Sequence, residues 1–370
     1  MFKIFNSREN SPDFLLLTAI ILISCFGLLM VYSTSSVYAL EIYGDPSRFL
    51  KLHMMYLMIG ISSMILFMNI DYRVLRKFVY PAYIICLILL IIVLIPSIGK
   101  KVSGAYRWLS FGPFTFQPSE IAKFVILLYL AHSLDKKRDK IESFSVGFLS
   151  HLLISGLLIG LIFIEPDFGT SAILLILLIF MMFIGNVRIR YIFPLVLFTG
   201  AFAAVAIATR GYRMDRLLSF LDPWKDPLGT GYQAVQSFIA FGVGGLYGMG
   251  LGDSTQKLFF LPQAHTDFIF SIIGEELGFI GVALVIALFL FILYRSIRIG
   301  IKAPDLFGCY LVCGFTFLIA VQAVLNMAVS VGLFPTKGMT LPFISYGGSS
   351  LVCCLTAMGI VLSVSKAEVK

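Results

Sequence analysis

The stretch AHTDFIFSIIGEELG, residues 264–278, places one histidine and three carboxylates at the head of an apolar run. Asp267 falls where that run would leave a membrane. A carboxylate there, against apolar walls that raise its pKa, is suited to act as a general base. The position also suits a helix cap, since Thr266 or Asp267 could start a helix and an acid in the first turn complements the helix dipole. The two readings are compatible. His265 reads as an interfacial loop histidine or as a substrate contact. Glu275 and Glu276 lie about two turns deeper, where an unpaired charge costs several kcal/mol. At roughly 100° per residue they cannot both share the face of Asp267. Structural pairing is expected for both, one of them with a cation inside the bundle.

Two other segments carry polar groups between apolar runs. In GAYRWLSFGPFTFQPSEIAKF, residues 104–124, Arg107 and Trp108 form an amphipathic pair suited to an interface. Pro118 breaks the chain ahead of a helix that Ser119 would cap, with Glu120 in its first turn. Lys123 follows at i+3, in reach of Glu120. It either snorkels in a local ion pair or is held for an anionic head group. In GLFPTKGMTLPFISYGGSSL, residues 332–351, prolines, glycines and Lys337 interrupt a hydrophobic region. Irregular backbone at membrane depth survives only where protein or water satisfies it, so a partly re-entrant loop lining a cavity is expected. Ser345, Tyr346, Ser349 and Ser350 would offer hydroxyls there. The long segment around 210–265 adds Arg210, Arg213, Arg216 and Lys257, and the glycine-rich AFGVGGLYGMGLGD. Basic groups opposite a carboxylate suit an amphiphile with a pyrophosphate head. There is no HExxH, no clustered histidine and no Walker A motif, so neither metalloprotease chemistry nor ATP-driven work is indicated.

The elements that must position these residues are membrane helices. Of 370 residues, 59% are hydrophobic and only 13% charged, about half the charged fraction of a soluble domain. Ten apolar runs stand out, near 14–32, 54–70, 79–95, 121–134, 145–164, 168–184, 191–209, 268–294, 306–331 and 349–364. The fold expected is all-α and polytopic, one membrane domain over 1–370 with about ten spans. The net charge of +8 reflects Lys and Arg gathered in cytoplasmic loops and implies no nucleic-acid partner. Arg73, Arg76, Lys77, Lys136, Lys137, Arg138, Lys140, Arg188, Arg190, Arg295 and Arg298 then lie inside. Both termini are cytoplasmic in that arrangement, and a long extracytoplasmic loop joins the seventh and eighth spans. The six cysteines all sit in apolar runs without metal or redox spacing and read as small core residues.

The motifs GAYRWLSFGPFTFQPSEIAK (104–123), LPQAHTDFIFSIIGEELGFIG (261–281) and FPTKGMTLPFISYGGSSL (334–351) resemble those of the SEDS family (shape, elongation, division and sporulation). The resemblance covers nearly the whole chain. It is closer to the division branch than to the elongation branch, with the sporulation branch close to the former. It implies a peptidoglycan glycosyltransferase that polymerises lipid II at the outer face of the cytoplasmic membrane and releases undecaprenyl pyrophosphate. The implied partners are a class B penicillin-binding protein and other divisome membrane proteins, with the division septum as the place of work. The family's essential acid falls on Asp267, and its basic and aromatic positions on Arg107, Trp108 and Lys123, with Glu120 beside them. Arg213 and Lys337 are further phosphate candidates, and His265 and Ser345 further substrate contacts. A divalent cation, magnesium or manganese, could assist with the pyrophosphate, although no ligand set is visible. The competing functions are a lipid II flippase and a non-catalytic scaffold. Clustering of the distinctive motifs on the outer side favours polymerisation.

Overall fold

The computed structural model describes residues 11–102, 105–111, 114–208, 211–336 and 338–367. Lys337 and Arg210 lie outside the described residues, and of Arg213 only the backbone is described. Twelve α-helices follow one another among the described residues: α1 (Phe14–Tyr43), α2 (Arg48–Asn69), α3 (Val79–Val93), α4 (Pro118–Lys136), α5 (Ser150–Ile164), α6 (Phe168–Ile184), α7 (Ile189–Ala208), α8 (Gly211–Leu221), α9 (Tyr232–Gly244), α10 (Ile269–Ile301), α11 (Leu306–Ser330) and α12 (Gly348–Ser365). Each of the ten apolar runs falls on one of them. Six helices are long and apolar enough to cross a membrane: α1, α2, α10, α11, α12, and α5 taken together with the π-helical turn Phe144–Leu149 that leads into it. Apolar but shorter are α3, α6 and the first part of α7. The chain is therefore a multi-pass membrane protein.

α4 stands apart because it is surrounded by protein. Every residue from Val125 to Ala131 is buried, and so are Glu120 and Lys123 near its start. An ion pair survives there because the helix is shielded from lipid. Its N-cap is Gln117, with Pro118 at the first position and no side-chain cap. Ser119, read from sequence as the cap, is instead buried with its hydroxyl unpartnered.

Two expectations are corrected outside the spans. The segment before α4 contains a three-stranded antiparallel sheet, β1 (Gly99–Val102), β2 (Ala105–Phe111) and β3 (Phe114–Phe116), in that spatial order. Its alternation was masked in the sequence by the density of aromatic and glycine residues. The long segment before α10 holds α8 and α9 rather than one loop.

The charges sort to two ends of the bundle. At one end Asp13 caps α1 and pairs with Arg295 near the end of α10. Arg73 and Arg76 reach Asp305 and Asp135, at 2.8 and 2.9 Å. At the other end lie the sheet, α8, α9 and the segments 254–268 and 332–347, which are linked by hydrogen bonds. The last of these packs deep. Gly27, midway along α1, lies so close to the main chain at Phe343 and Ile344 that a Cβ there would stand 2.5 Å from the Phe343 carbonyl oxygen.

Candidate functional site

Asp267 is the penultimate residue of an irregular loop entering α10. The helix is capped by the backbone of Phe268, with no side-chain cap, so the capping role considered for Thr266 or Asp267 is not taken up. The amides of Thr266, Asp267 and Phe268 instead all donate to the Gln263 carbonyl, at 3.1, 3.1 and 3.3 Å, and Gln263 itself has a positive φ of 60°. This tight turn presents the Asp267 side chain to the segment 332–347. A Cβ at Gly338 would stand 3.1 Å from Oδ2 of Asp267. The two segments are stitched together. Asn326 of α11 donates to the carbonyls of Asp267 and Met339, at 2.8 and 2.6 Å. Ser345 donates to the Thr266 carbonyl at 2.5 Å, and the Tyr346 amide donates to the His265 carbonyl at 3.0 Å. Arg216 of α8 donates to the Thr336 carbonyl at 3.1 Å.

Burial raises the Asp267 carboxyl from 3.8 to about 6, against the lowering effects of Thr266 and of the Arg216 charge. A carboxylate in that range is ionised at neutral pH yet basic enough to accept a proton. His265 is enclosed by Phe49, Tyr38 and Tyr346, with ring centroids at 4.9, 5.6 and 6.0 Å. Burial lowers its pKa to about 4. It is therefore a neutral packing partner in this conformation rather than a cation for a phosphate. The Ser345 hydroxyl is likewise engaged, since it also accepts from the Leu341 amide at 2.8 Å.

The first segment meets the same end of the bundle by another route. Trp108 pairs with Lys100 and Tyr106 with Lys101, so Arg107 is the extra residue of a β-bulge in β2. Arg107 donates to the carbonyls of Glu165 and Pro166, at 3.2 and 2.5 Å. The Gln117 amide donates to Ser349 Oγ at 3.2 Å, and its side chain reaches Asp167 at 3.4 Å. Thr340 donates to Ser350 at 3.2 Å, which connects this cluster to the segment facing Asp267. Lys123 pairs with Glu120 at 2.7 Å. α12 packs alongside α4. The structure thus brings Asp267, Arg107, Ser345 and His265 to one end of the bundle, with the Glu120–Lys123 pair entering it from the core.

The residues missed in the sequence are in EPDFGT, 165–170. Two acids flanking a proline between two apolar runs were the available signal. Asp167 caps α6, accepting from the Thr170 amide at 3.1 Å. Glu165 is completely buried and neither carboxyl oxygen has a hydrogen-bond partner. Burial, reinforced by the charge of Asp167, lifts it from 4.5 to about 8, and Arg107 opposes the shift. Between those two values the fold holds a proton that the unfolded chain has lost, so stability falls as pH rises and levels off above the upper one. Wild type should therefore lose thermal stability between about pH 5 and pH 8, by an amount worth several kcal/mol. Glu165→Gln should lack this component. Melting in detergent across that range checks it, and parallel curves for the two proteins would refute it.

Among the described residues no three His, Cys, Asp or Glu side chains converge as a metal site. A divalent cation at this end of the bundle would have to draw most of its ligands from a bound phosphate and water, as magnesium commonly does.

Comparison with known proteins agrees with this architecture. The model of the FtsW, RodA and SpoVE cell cycle protein family matches residues 13–370. The chain is 45% identical over 364 residues to a probable peptidoglycan glycosyltransferase FtsW of Geobacter metallireducens, covering 98% of this chain and 97% of the relative. It is 42% identical to the stage V sporulation protein E of Bacillus subtilis, covering 97% of this chain and 98% of that protein. Among solved structures, a chain of a peptidoglycan synthase complex that coordinates polymerization and crosslinking superposes with a TM-score of 0.77 at 28% identity, covering 96% of this chain and 98% of that one. The rod shape determining protein RodA of Thermus thermophilus does so with a TM-score of 0.72 at 27% identity, covering 97% and 98%. With a family match over almost its full length and relatives above 40% identity, the chain belongs to the FtsW/RodA/SpoVE (SEDS) family of cell cycle proteins.

Proposed function

We propose that this protein is a peptidoglycan glycosyltransferase that joins lipid II units at the outer face of the cytoplasmic membrane and releases undecaprenyl pyrophosphate. The observation that carries this reading is Asp267. It is a half-buried carboxylate raised to about 6, held between two pinned segments at the end of the bundle where the polar motifs gather. In the reaction Asp267 takes the proton from the acceptor sugar hydroxyl. The freed oxygen attacks the anomeric carbon of the donor, and the bond from that carbon to the pyrophosphate oxygen breaks. The departing pyrophosphate carries the negative charge away, and preorganised cations lower the cost of its formation. Arg107, Lys123, Arg213 and Lys337 are the groups assigned to it, with Trp108 and Ser345 lining the approach and Glu120 holding Lys123. A divalent cation, where it takes part, would bind through the phosphates, and no step here is routed through it.

The topology in this reading has ten spans, with α4 as the protein-enclosed one and both termini cytoplasmic. The end carrying Arg73, Arg76 and Arg295 faces inward, in keeping with the positive-inside rule. The partner is a class B penicillin-binding protein that cross-links the new strands, together with other divisome membrane proteins at the septum. The similarity to a chain from a synthase complex supports such a partner.

The test is reconstitution with the cognate penicillin-binding protein and labelled lipid II. Glycan polymer from the wild type supports a polymerase. Lipid II crossing the vesicle membrane without polymer would replace this reading with a flippase. Partner-dependent cross-linking with neither activity in this chain would leave a scaffold.

A further inference from the structure

The carboxylates deeper in α10 have an arrangement that bears on Asp267. Glu275 is completely buried. Its carboxylate accepts from the Thr255 amide at 2.9 Å, the Thr255 hydroxyl at 2.8 Å, the Gln256 amide at 3.3 Å and the Ser254 hydroxyl. Glu276 beside it pairs with Lys257 at 2.8 Å and accepts from Ser33 of α1. One turn of chain, Ser254–Lys257, is thus fastened to the second turn of α10, and the chain returns to the head of the same helix at Phe268. The residues between form a closed loop, and Asp267 is next to its last member. The loop is tensed, with positive φ at Phe259 (68°) and Gln263 (60°), conformations that persist only where surroundings hold them.

The helix is also broken where the glycine-rich segment 245–250 meets it. Gly278 has φ 64° and ψ −163°, which breaks α10 internally. The amides of Phe279 and Ile280 turn to the carbonyls of Gly245 and Leu246, at 2.9 and 3.3 Å. The carbonyls of Glu275 and Glu276 then accept from Met249 and Gly250, both at 3.0 Å. The broken helix and the glycine-rich segment satisfy each other, as backbone within a membrane protein must.

We propose that Glu275 is a positioning residue for glycosyl transfer, fixing the closed loop 254–268 so that Asp267 meets the acceptor hydroxyl. This rests on the assignment of Asp267 as the base. Glu275 touches no reacting atom in this scheme. It acts through the loop, and the misplacement of a base by about 1 Å costs on the order of 100-fold in rate. Loosening the loop also admits water to the Asp267 carboxylate, which lowers its pKa toward the usual aspartate value. The charged group facing Asp267 among the described residues is Arg216, donated by α8 and untouched by this change.

The experiment compares wild type, Asp267→Asn, Glu275→Gln and Thr255→Val, each reconstituted with its penicillin-binding partner and checked for complex formation and melting. Glu275→Gln keeps the shape but turns one acceptor into a donor facing the loop amides. Its kcat should fall about 10- to 100-fold with KM for lipid II within about twofold, and the acid limb of its rate profile should move to lower pH. Thr255→Val removes a single donor and should shift both quantities in the same directions by less. A purely structural role would lower the amount of folded enzyme and leave the pH profile of the remainder in place, which would overturn the proposal. So would wild-type kcat and pH profile in both variants alongside an inactive Asp267→Asn. If Glu275→Gln does not fold, Thr255→Val decides by the same readouts. Full activity in Asp267→Asn would instead remove the base assignment itself.

Discussion

Asp267→Asn is expected to lower lipid II polymerisation by about 10²- to 10⁴-fold, the usual contribution of a positioned general base. Asparagine preserves shape and can still accept hydrogen bonds, so the variant should fold, join its partner and bind lipid II as wild type does. Its stability near neutral pH should be no lower. A carboxyl whose pKa is raised in the fold from 3.8 to about 6 is destabilising once ionised, and the amide removes that cost. The pH dependence supplies a second signature. The base works only when deprotonated, so wild-type kcat/KM should rise with pH through about 6, two units above an ordinary aspartate. Single-turnover assays with labelled lipid II between about pH 5 and pH 8 would show this. An Asp267→Asn protein with wild-type turnover would leave the residue without a catalytic role.

The second large effect is expected at Glu120 and Lys123. Their side chains are 11% and 5% exposed and lie 2.7 Å apart within a helix enclosed by protein. Glu120→Gln leaves the Lys123 charge buried without its partner, and Lys123→Met does the same to Glu120. Each should destabilise by about 3–5 kcal/mol, whereas the double replacement should recover most of that loss. Activity separates structure from chemistry. If Lys123 serves the leaving pyrophosphate, the stable double variant remains at least about 10-fold slower than wild type. Thermal unfolding in detergent and polymer yield with the partner present measure the two effects on the same preparations. Full activity in the double variant would reduce the pair to a packing element.

Asp267 illustrates why part of this site was legible in the sequence. An acid at the mouth of a long apolar run is costly wherever the run lies, so its type and position alone mark it. The same holds for Glu275 and Glu276, whose need for partners follows from the depth of their helix. Lys257 and the Ser254–Gln256 turn meet that need. Which partners they find is a tertiary matter, because the donors come from other stretches of chain, Ser254–Lys257 and Ser33 of α1. Arg107 shows the opposite case. It is the extra residue of a bulge in a strand hidden among aromatic residues, and its partners are the carbonyls of Glu165 and Pro166, far away in the chain. His265 and Ser345 are polar residues beside the candidate base, yet one is enclosed by aromatic rings and the other is tied to the Thr266 carbonyl.

The sequence by itself determined that the chain is a polytopic helical membrane protein, where its apolar helices run, and which acids and cations stand out against lipid. Each follows from the high cost of placing charge and unpaired backbone in hydrocarbon, a cost read residue by residue. Only the tertiary structure decided that Glu165 is buried without a partner, that α4 is shielded enough to carry an ion pair, and that the loop bearing Asp267 is closed onto its own helix. Those properties depend on distances between segments far apart in the chain, and local composition and periodicity carry no information about them.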